Sequence, residues 1–248
     1  MSTLGGLATN LARKFIFGID AIQQRRHHVL PLDRGTHSLF RVSRRTSPED
    51  RVLADGTVVH QGDPIVEFHY WNERIPPMGP EGPDVTWGLQ FYRRLRRSLN
   101  DLAEYVRDNP DCRDVVAVYG EASYAASVGW KKYEKFISDF GFEFSHQPAT
   151  ATRKNLVYLF THLYSWLLVW AANPASLRGR AFGTAERCYI WQSREALIRR
   201  HGRSEGRREA VIARECRAGE DTDVMNEALA AQDTGSAAVS SESLRLSS

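Results

Sequence analysis

The sequence predicts an α+β fold: a single domain whose mixed or antiparallel sheet is packed by helices, with an N-terminal amphipathic helix and a disordered C-terminal tail. Three observations carry that expectation. A β-rich stretch from residue 38 to residue 71 follows a helical start, and strands and helices then mix along the chain. Apolar residues make up 42% and charged residues 25% of 248, near the globular average, which argues against wholesale disorder and against a multi-span membrane bundle. Residues 219–248 hold no aromatic side chain and are rich in Ser, Ala and acids, the composition of a segment that cannot bury a core.

The elements follow in order. Leu4, Leu7, Leu11, Phe15, Ile19 and Ile22 recur at helical spacing, and Gln23 to His28 end that helix in polar residues. The stripe is expected to dock on its own domain, with a membrane-surface helix as the alternative. Ser38 to Ser43 reads as a strand with Leu39, Arg41 and Ser43 on one face. Asp55-Gly56, between Arg51–Leu53 and Thr57–His60, is a type I′ hairpin signal. Ile65 to Trp71 is the strongest strand pattern, with Val66, Phe68 and Tyr70 on one face and Ile65, Glu67, His69 and Trp71 on the other.

A Pro/Gly-rich loop at 76–83 leads into a helix from Thr86 to Asp108, buried through Tyr92, Leu95, Leu99, Leu102 and Val106 and stopped by Asn109-Pro110. Asp114 to Tyr119 is an apolar run of the kind found in an internal strand, turned by Gly120 to Ser123. Lys131 to Asp139 is a helix closed by Gly141, and Phe142 to Ser145 a short strand. Leu156 to Ala172 contains no acid, Lys or Arg but four Tyr or Trp residues, and it reads as a core helix, a monotopic insertion or a span. Arg187 to Trp191 is a last strand, and Ser193 caps a helix through Arg200.

Charge is divided unevenly. Residues 219–248 carry six acids and one base, so the rest of the chain stands at +8 with 32 bases against 24 acids. Arginine supplies 28 of the 33 bases, and its planar fork suits carboxylate and phosphate. The partners expected are an anionic lipid or a phosphorylated ligand. No sequence-specific nucleic acid is expected, since the aromatic signatures of RNA-binding modules are absent. Cys112, Cys188 and Cys216 form no CxxC pattern, and the start lacks a secretory signal. Both point to the cytoplasm, with peripheral attachment at the inner membrane as the further expectation.

Neither GxGxxG after a strand, GxxxxGK[ST], HExxH nor GxSxG occurs, so no motif specifies a cofactor and no metal ligand is assigned. The residues with chemical promise cluster on Glu67 to Asn72. Glu67 and His69 share a strand face two residues apart, where a carboxylate orients an imidazole and raises its basicity. Glu67, His69 and Asn72 are the candidate catalytic residues. Asp63, Arg41, Glu121 and Ser123 are the candidate ligand-binding residues, the last two lying beyond the internal strand, where ligands gather in α/β sheets.

The order of several segments resembles the YkoP-like domain family. They are Leu39 to Arg41, Asp55 to Thr57, Gly62-Asp63, Phe68 to Asn72, the helix around Leu95 to Val106, Gly120, Gly141-Phe142, and Tyr189 to Leu197 with Gly202. The likeness spans roughly residues 10 to 202, and the chain as a whole is read as an amphipathic helix at 1–28, a YkoP-like α+β domain at 29–202, a charged helical extension at 203–218 and a disordered tail at 219–248. It implies the family's fold and an envelope-glycan setting, since some members look to be fused behind polysaccharide deacetylase domains. The Asp-Asp and HxxxH-type metal signatures of such an enzyme are absent here, so the resemblance implies a context and no reaction. His69 and Asn72 match the family's histidine–asparagine strand. A fainter likeness joins a strand, Tyr133 to Lys135 and Gly141-Phe142 to the closing part of GNAT acyltransferases, without their pyrophosphate-binding loop.

Two functions are therefore expected to compete. One is an accessory or binding protein linked to cell-envelope glycan or lipid metabolism. The other is a cytoplasmic enzyme acting on a phosphorylated or acylated small molecule through Glu67, His69 and Asn72. Nonspecific nucleic-acid binding through Arg93, Arg94, Arg96 and Arg97 ranks third.

Overall fold

The computed structural model describes residues 2–32, 38–79, 81–125, 129–146, 156–177, 182 and 185–202. The charged extension expected at 203–218, the tail expected at 219–248 and Cys216 lie outside these residues.

Six strands form one mixed sheet in the order β1-β2-β5-β6-β8-β7. They are β1 (Leu30–Pro31), β2 (Phe40–Thr46), β5 (Pro64–Tyr70), β6 (Ala117–Ala125), β7 (Glu143–His146) and β8 (Ala185–Ser193). A two-stranded sheet, β3 (Arg51–Val52) with β4 (Val58–Val59), stands apart. Within the larger sheet β5 and β6 run parallel, with Glu67 opposite Tyr119 and Phe68 opposite Gly120. A parallel pair needs a long crossover, and α2 (Val85–Asp108) supplies it. The other α-helices among the described residues are α1 (Ser2–Arg26), α3 (Trp130–Ser138), α4 (Leu156–Ala172) and α5 (Arg194–His201).

Period-two alternation sends Phe40, Val42, Val66, Phe68 and Val118 to one sheet face, where Leu95, Leu99, Leu102 and Val106 of α2 meet them. Asp84 caps α2 by accepting from the Trp87 amide at 2.7 Å. Ser98 ties its middle to the sheet by accepting from the Leu39 amide at 2.7 Å. Tyr92, expected in the buried stripe, is exposed and meets the Phe140 ring with centroids 5.5 Å apart. On the opposite face Leu53, Val59, Ile65, Ala117, Tyr119 and Trp191 form a second, smaller core beneath the β3–β4 hairpin.

Two local expectations are corrected. Asp55 keeps a negative φ and Gly56 alone turns positive at 87°. The Gly56 amide donates to the Leu53 carbonyl at 2.8 Å, so the hairpin turns through a three-residue loop ending in a glycine bulge instead of a type I′ turn. Gly120 to Ser123 do not turn the chain, because β6 continues through them to Ala125. Glycine is required at 120 for a different reason: a Cβ there would stand 2.7 Å from Cζ of Phe68.

The N-terminal helix is the larger correction. It docks on its own domain, but through Ile16, Phe17 and Asp20, packed against Leu168, Ala171 and Tyr164 of α4. Leu7, Leu11, Phe15, Ile19 and Ile22, the stripe expected to be buried, face outward. Among the described residues, no helix is long and apolar enough to cross a membrane, which removes the spanning reading of α4.

At the far end of the fold, Ser193 caps α5 by accepting from the Ala196 amide at 3.0 Å. His201, in the last turn of α5, places Nε2 2.8 Å from the Phe140 carbonyl. Burial, with Arg200 and Arg96 nearby, lowers the pKa of this imidazole below its ordinary 6.5 despite that carbonyl. The unfolded chain therefore takes up a proton before the folded one does. This contribution to stability is present above pH 6.5 and is lost as pH falls through the folded value. Urea unfolding followed from neutral pH down to the edge of the carboxylate range should show a declining midpoint, and a shallower decline in His201→Gln. Parallel slopes for the two proteins would count against it.

Candidate functional site

The sheet face turned away from α2 is where polar side chains collect. Arg41, Ser43 and Arg45 of β2 lie opposite His69, Glu67 and Ile65 of β5, and Tyr119 of β6 lies opposite Glu67. Glu121 follows Tyr119 on the same side of β6 and pairs across with Tyr189 of β8.

Glu67 is the hub. Its Oε2 lies 3.4 Å from Nε2 of His69 and 3.3 Å from Nε of Arg45. Burial alone pushes this carboxyl upward, but the hydrogen bond from His69 and the charges of His69 and Arg45 outweigh it and hold the group below its ordinary value. Side-chain exposure is 17% for Glu67 and 37% for His69, so the carboxylate is sheltered while the imidazole reaches solvent. Tyr119 stacks on Tyr189 with ring centroids 5.5 Å apart. Burial and the neighbouring Tyr189, Glu121 and Glu67 raise its phenol far enough to keep it a neutral hydroxyl. The narrow crevice between α2 and the sheet, lined by Phe40, Phe68, Leu95 and Ile137, is apolar and opens on the other face from His69.

The remaining candidates are distributed around this pair. Asn72 opens a 3-10 turn (Asn72–Arg74) just past the end of β5, close in sequence to His69 but off the sheet. Asp63 precedes β5, and its carboxylate accepts from the His60 amide at 2.8 Å to close the turn. Six steps along the chain, about 20 Å in extended strand, separate it from His69. Arg41 is engaged elsewhere: Nη1 meets Asp20 at 2.8 Å, Nη2 meets Glu73 at 3.1 Å, and its guanidinium lies over Trp71 at 4.5 Å. Ser123 lies in β6 opposite Arg187, and its side chain is outside the described residues.

Arg45, Ser43 and Tyr119 belong to this face without having been singled out from the sequence. The signal for Arg45 is the alternation Arg41, Ser43, Arg45, hidden because the strand pattern stops at Ser43 while β2 runs to Thr46. Neither buried thiol joins the site. Burial pushes Cys188 up to about 12 and also raises Cys112, which keeps both protonated and poorly nucleophilic. Among the described residues, no group of three or more His, Cys, Asp or Glu side chains is placed to hold a metal ion.

These features define an α+β domain built on one six-stranded mixed sheet, with α2, α3 and α5 packed on one face and, on the other, an acid–imidazole pair beside the Arg41 that holds α1. The family model of the YkoP domain matches residues 10–201, three quarters of the chain. The chain belongs to the YkoP domain family. No curated protein and no solved structure matches it.

Proposed function

We propose that this chain is an accessory binding protein of cell-envelope glycan or lipid metabolism, and that the face carrying Glu67, His69, Tyr119 and Glu121 holds a saccharide. The observation that carries the reading is the Glu67–His69 contact, sheltered on the carboxylate side and open on the imidazole side. Carboxylates accept from sugar hydroxyls, a half-open imidazole donates or accepts, and the half-buried Tyr189 ring, backed by the buried Tyr119, offers an apolar surface to ring C–H groups. Two carboxylates on the face weigh against a phosphate. Arg41, the guanidinium that a phosphorylated ligand would use, is paired with Asp20 and Glu73.

Titration calorimetry of the full chain with a soluble N-acetylglucosamine oligomer tests this. The expected result is saturable binding that His69→Ala and Glu67→Gln each weaken about tenfold, the size of one charge-assisted hydrogen bond. A wild-type chain that gives no binding, or variants that bind as it does, would sink the reading.

A second reading has one observation in its favour. An imidazole contacted by a carboxylate is the arrangement of a general base, which supports a cytoplasmic enzyme acting on a phosphorylated or acylated small molecule. Turnover of such a substrate that survives His69→Asn would remove that reading.

A further inference from the structure

Helices α1 and α4 leave apolar stripes uncovered. On α1 the exposed side chains are Leu7, Leu11, Phe15, Ile19 and Ile22, with Phe15 at 69%. On α4 they are Leu159, Phe160, Leu163 and Leu167, with Phe160 at 63%. The two helices pack on each other through Ile16, Leu168 and Ala171, so one helix pair carries both stripes. Single exposed leucines are ordinary, whereas side chains of this size in rows on adjoining helices mark an interaction surface.

Charge decides which partner it fits. From residue 2 to residue 32 Asp20 is the only acid, and it is buried at 6% exposure. Its carboxylate accepts from Arg41 Nη1 at 2.8 Å, from the Tyr164 hydroxyl at 2.6 Å and from the Gln24 amide. Helix α4 carries no acid, Lys or Arg. Lys14, Arg25 and Arg26 are exposed on α1, and helical periodicity places them on the flanks of its stripe. The outer surface of α1 is therefore apolar and cationic, without a carboxylate. A second copy of the chain would bring the same cations to meet these, while anionic headgroups complement them. With no helix among the described residues long and apolar enough to cross, the surface suits lying in the headgroup layer.

We propose that α1 and α4 dock this domain on an anionic membrane surface. Leu11, Phe15 and Ile22 enter the boundary between headgroups and acyl chains, and Lys14, Arg25 and Arg26 meet lipid phosphate. The inward turn of Asp20 fixes this orientation, because the clasp on Arg41 holds the polar side of α1 against the domain. The docking is independent of saccharide binding, since His69 and Glu67 take no part in it.

Flotation of the full chain with vesicles tests it directly. Wild-type protein is expected to float with phosphatidylglycerol mixed into phosphatidylcholine, to stay behind with phosphatidylcholine alone, and to release as salt is added. The double substitution Leu11→Glu and Phe15→Glu should cut the bound fraction about tenfold or more. These positions are exposed, so urea unfolding should match wild type. Lys14→Glu with Arg25→Glu gives a second measure that leaves the apolar stripe intact and is expected to lower binding as well. A wild-type chain that never floats, or substitutions that leave flotation unchanged, would overturn the proposal. So would Leu11→Glu and Phe15→Glu dissociating a dimer that vesicles do not capture.

Discussion

Replacing Arg41 by methionine is expected to lower folding stability by about 3–5 kcal/mol, because it leaves the Asp20 carboxylate buried without a cation. In the native fold that guanidinium meets Asp20 at 2.8 Å, meets Glu73 at 3.1 Å and lies over the Trp71 ring. Methionine keeps much of the stem volume but cannot serve either acid. The two acids are not equivalent. Asp20 is sealed between α1, β2 and α4, whereas the Glu73 side chain is 33% exposed, so Glu73→Gln should cost less than about 1 kcal/mol. The measurement is urea unfolding together with amide hydrogen exchange. Arg41→Met should show faster exchange across α1, since the clasp is what joins that helix to the sheet. Exchange in α1 as slow as wild type would show that the apolar contacts of Ile16 with Leu168 and Ala171 suffice to hold it.

Trp191→Ala should cost as much, about 3–5 kcal/mol, by emptying the centre of the second core. The Trp191 side chain is fully buried and touches the Tyr119 ring, with centroids 4.6 Å apart. The Arg51 guanidinium lies over it at 5.4 Å. Leu53 and Val59 of the hairpin region share that core, so β3 and β4 should loosen before the main sheet does. Trp191→Phe is expected to be milder. It keeps most of the ring volume and removes an indole N–H that is buried without a hydrogen-bond partner among the described residues. Near-equal losses for the two variants would mean that the cavity is not the cause.

Much of this architecture was legible beforehand. The α+β class, the span Leu156–Ala172, the cap at Ser193 and the faces of β5 all follow from short-range rules: capping chemistry, helical spacing and strand alternation. The meeting of Glu67 with His69 was legible for the same reason, since alternate strand residues share a face. Arg45 was hidden because strand length depends on pairing with β5, which local pattern does not report. The glycine at 120 misled in a similar way. It looks like a turn residue, and only the Phe68 ring lying against it shows why a side chain is excluded.

By itself, then, the sequence determined the family, the element types apart from the turn expected at 120–123, and which residues share the faces of β5. Only the tertiary structure decided what each face meets. On α1, periodicity identifies an apolar stripe, and the ordinary inference is that water drives it inward. The opposite side is the one that docks, because Asp20 finds a cation on β2 and a hydroxyl on α4, a partner 144 residues away in the chain. No window of helical length contains those partners. A buried charge is tolerable only where such groups converge, and that convergence belongs to the packed fold.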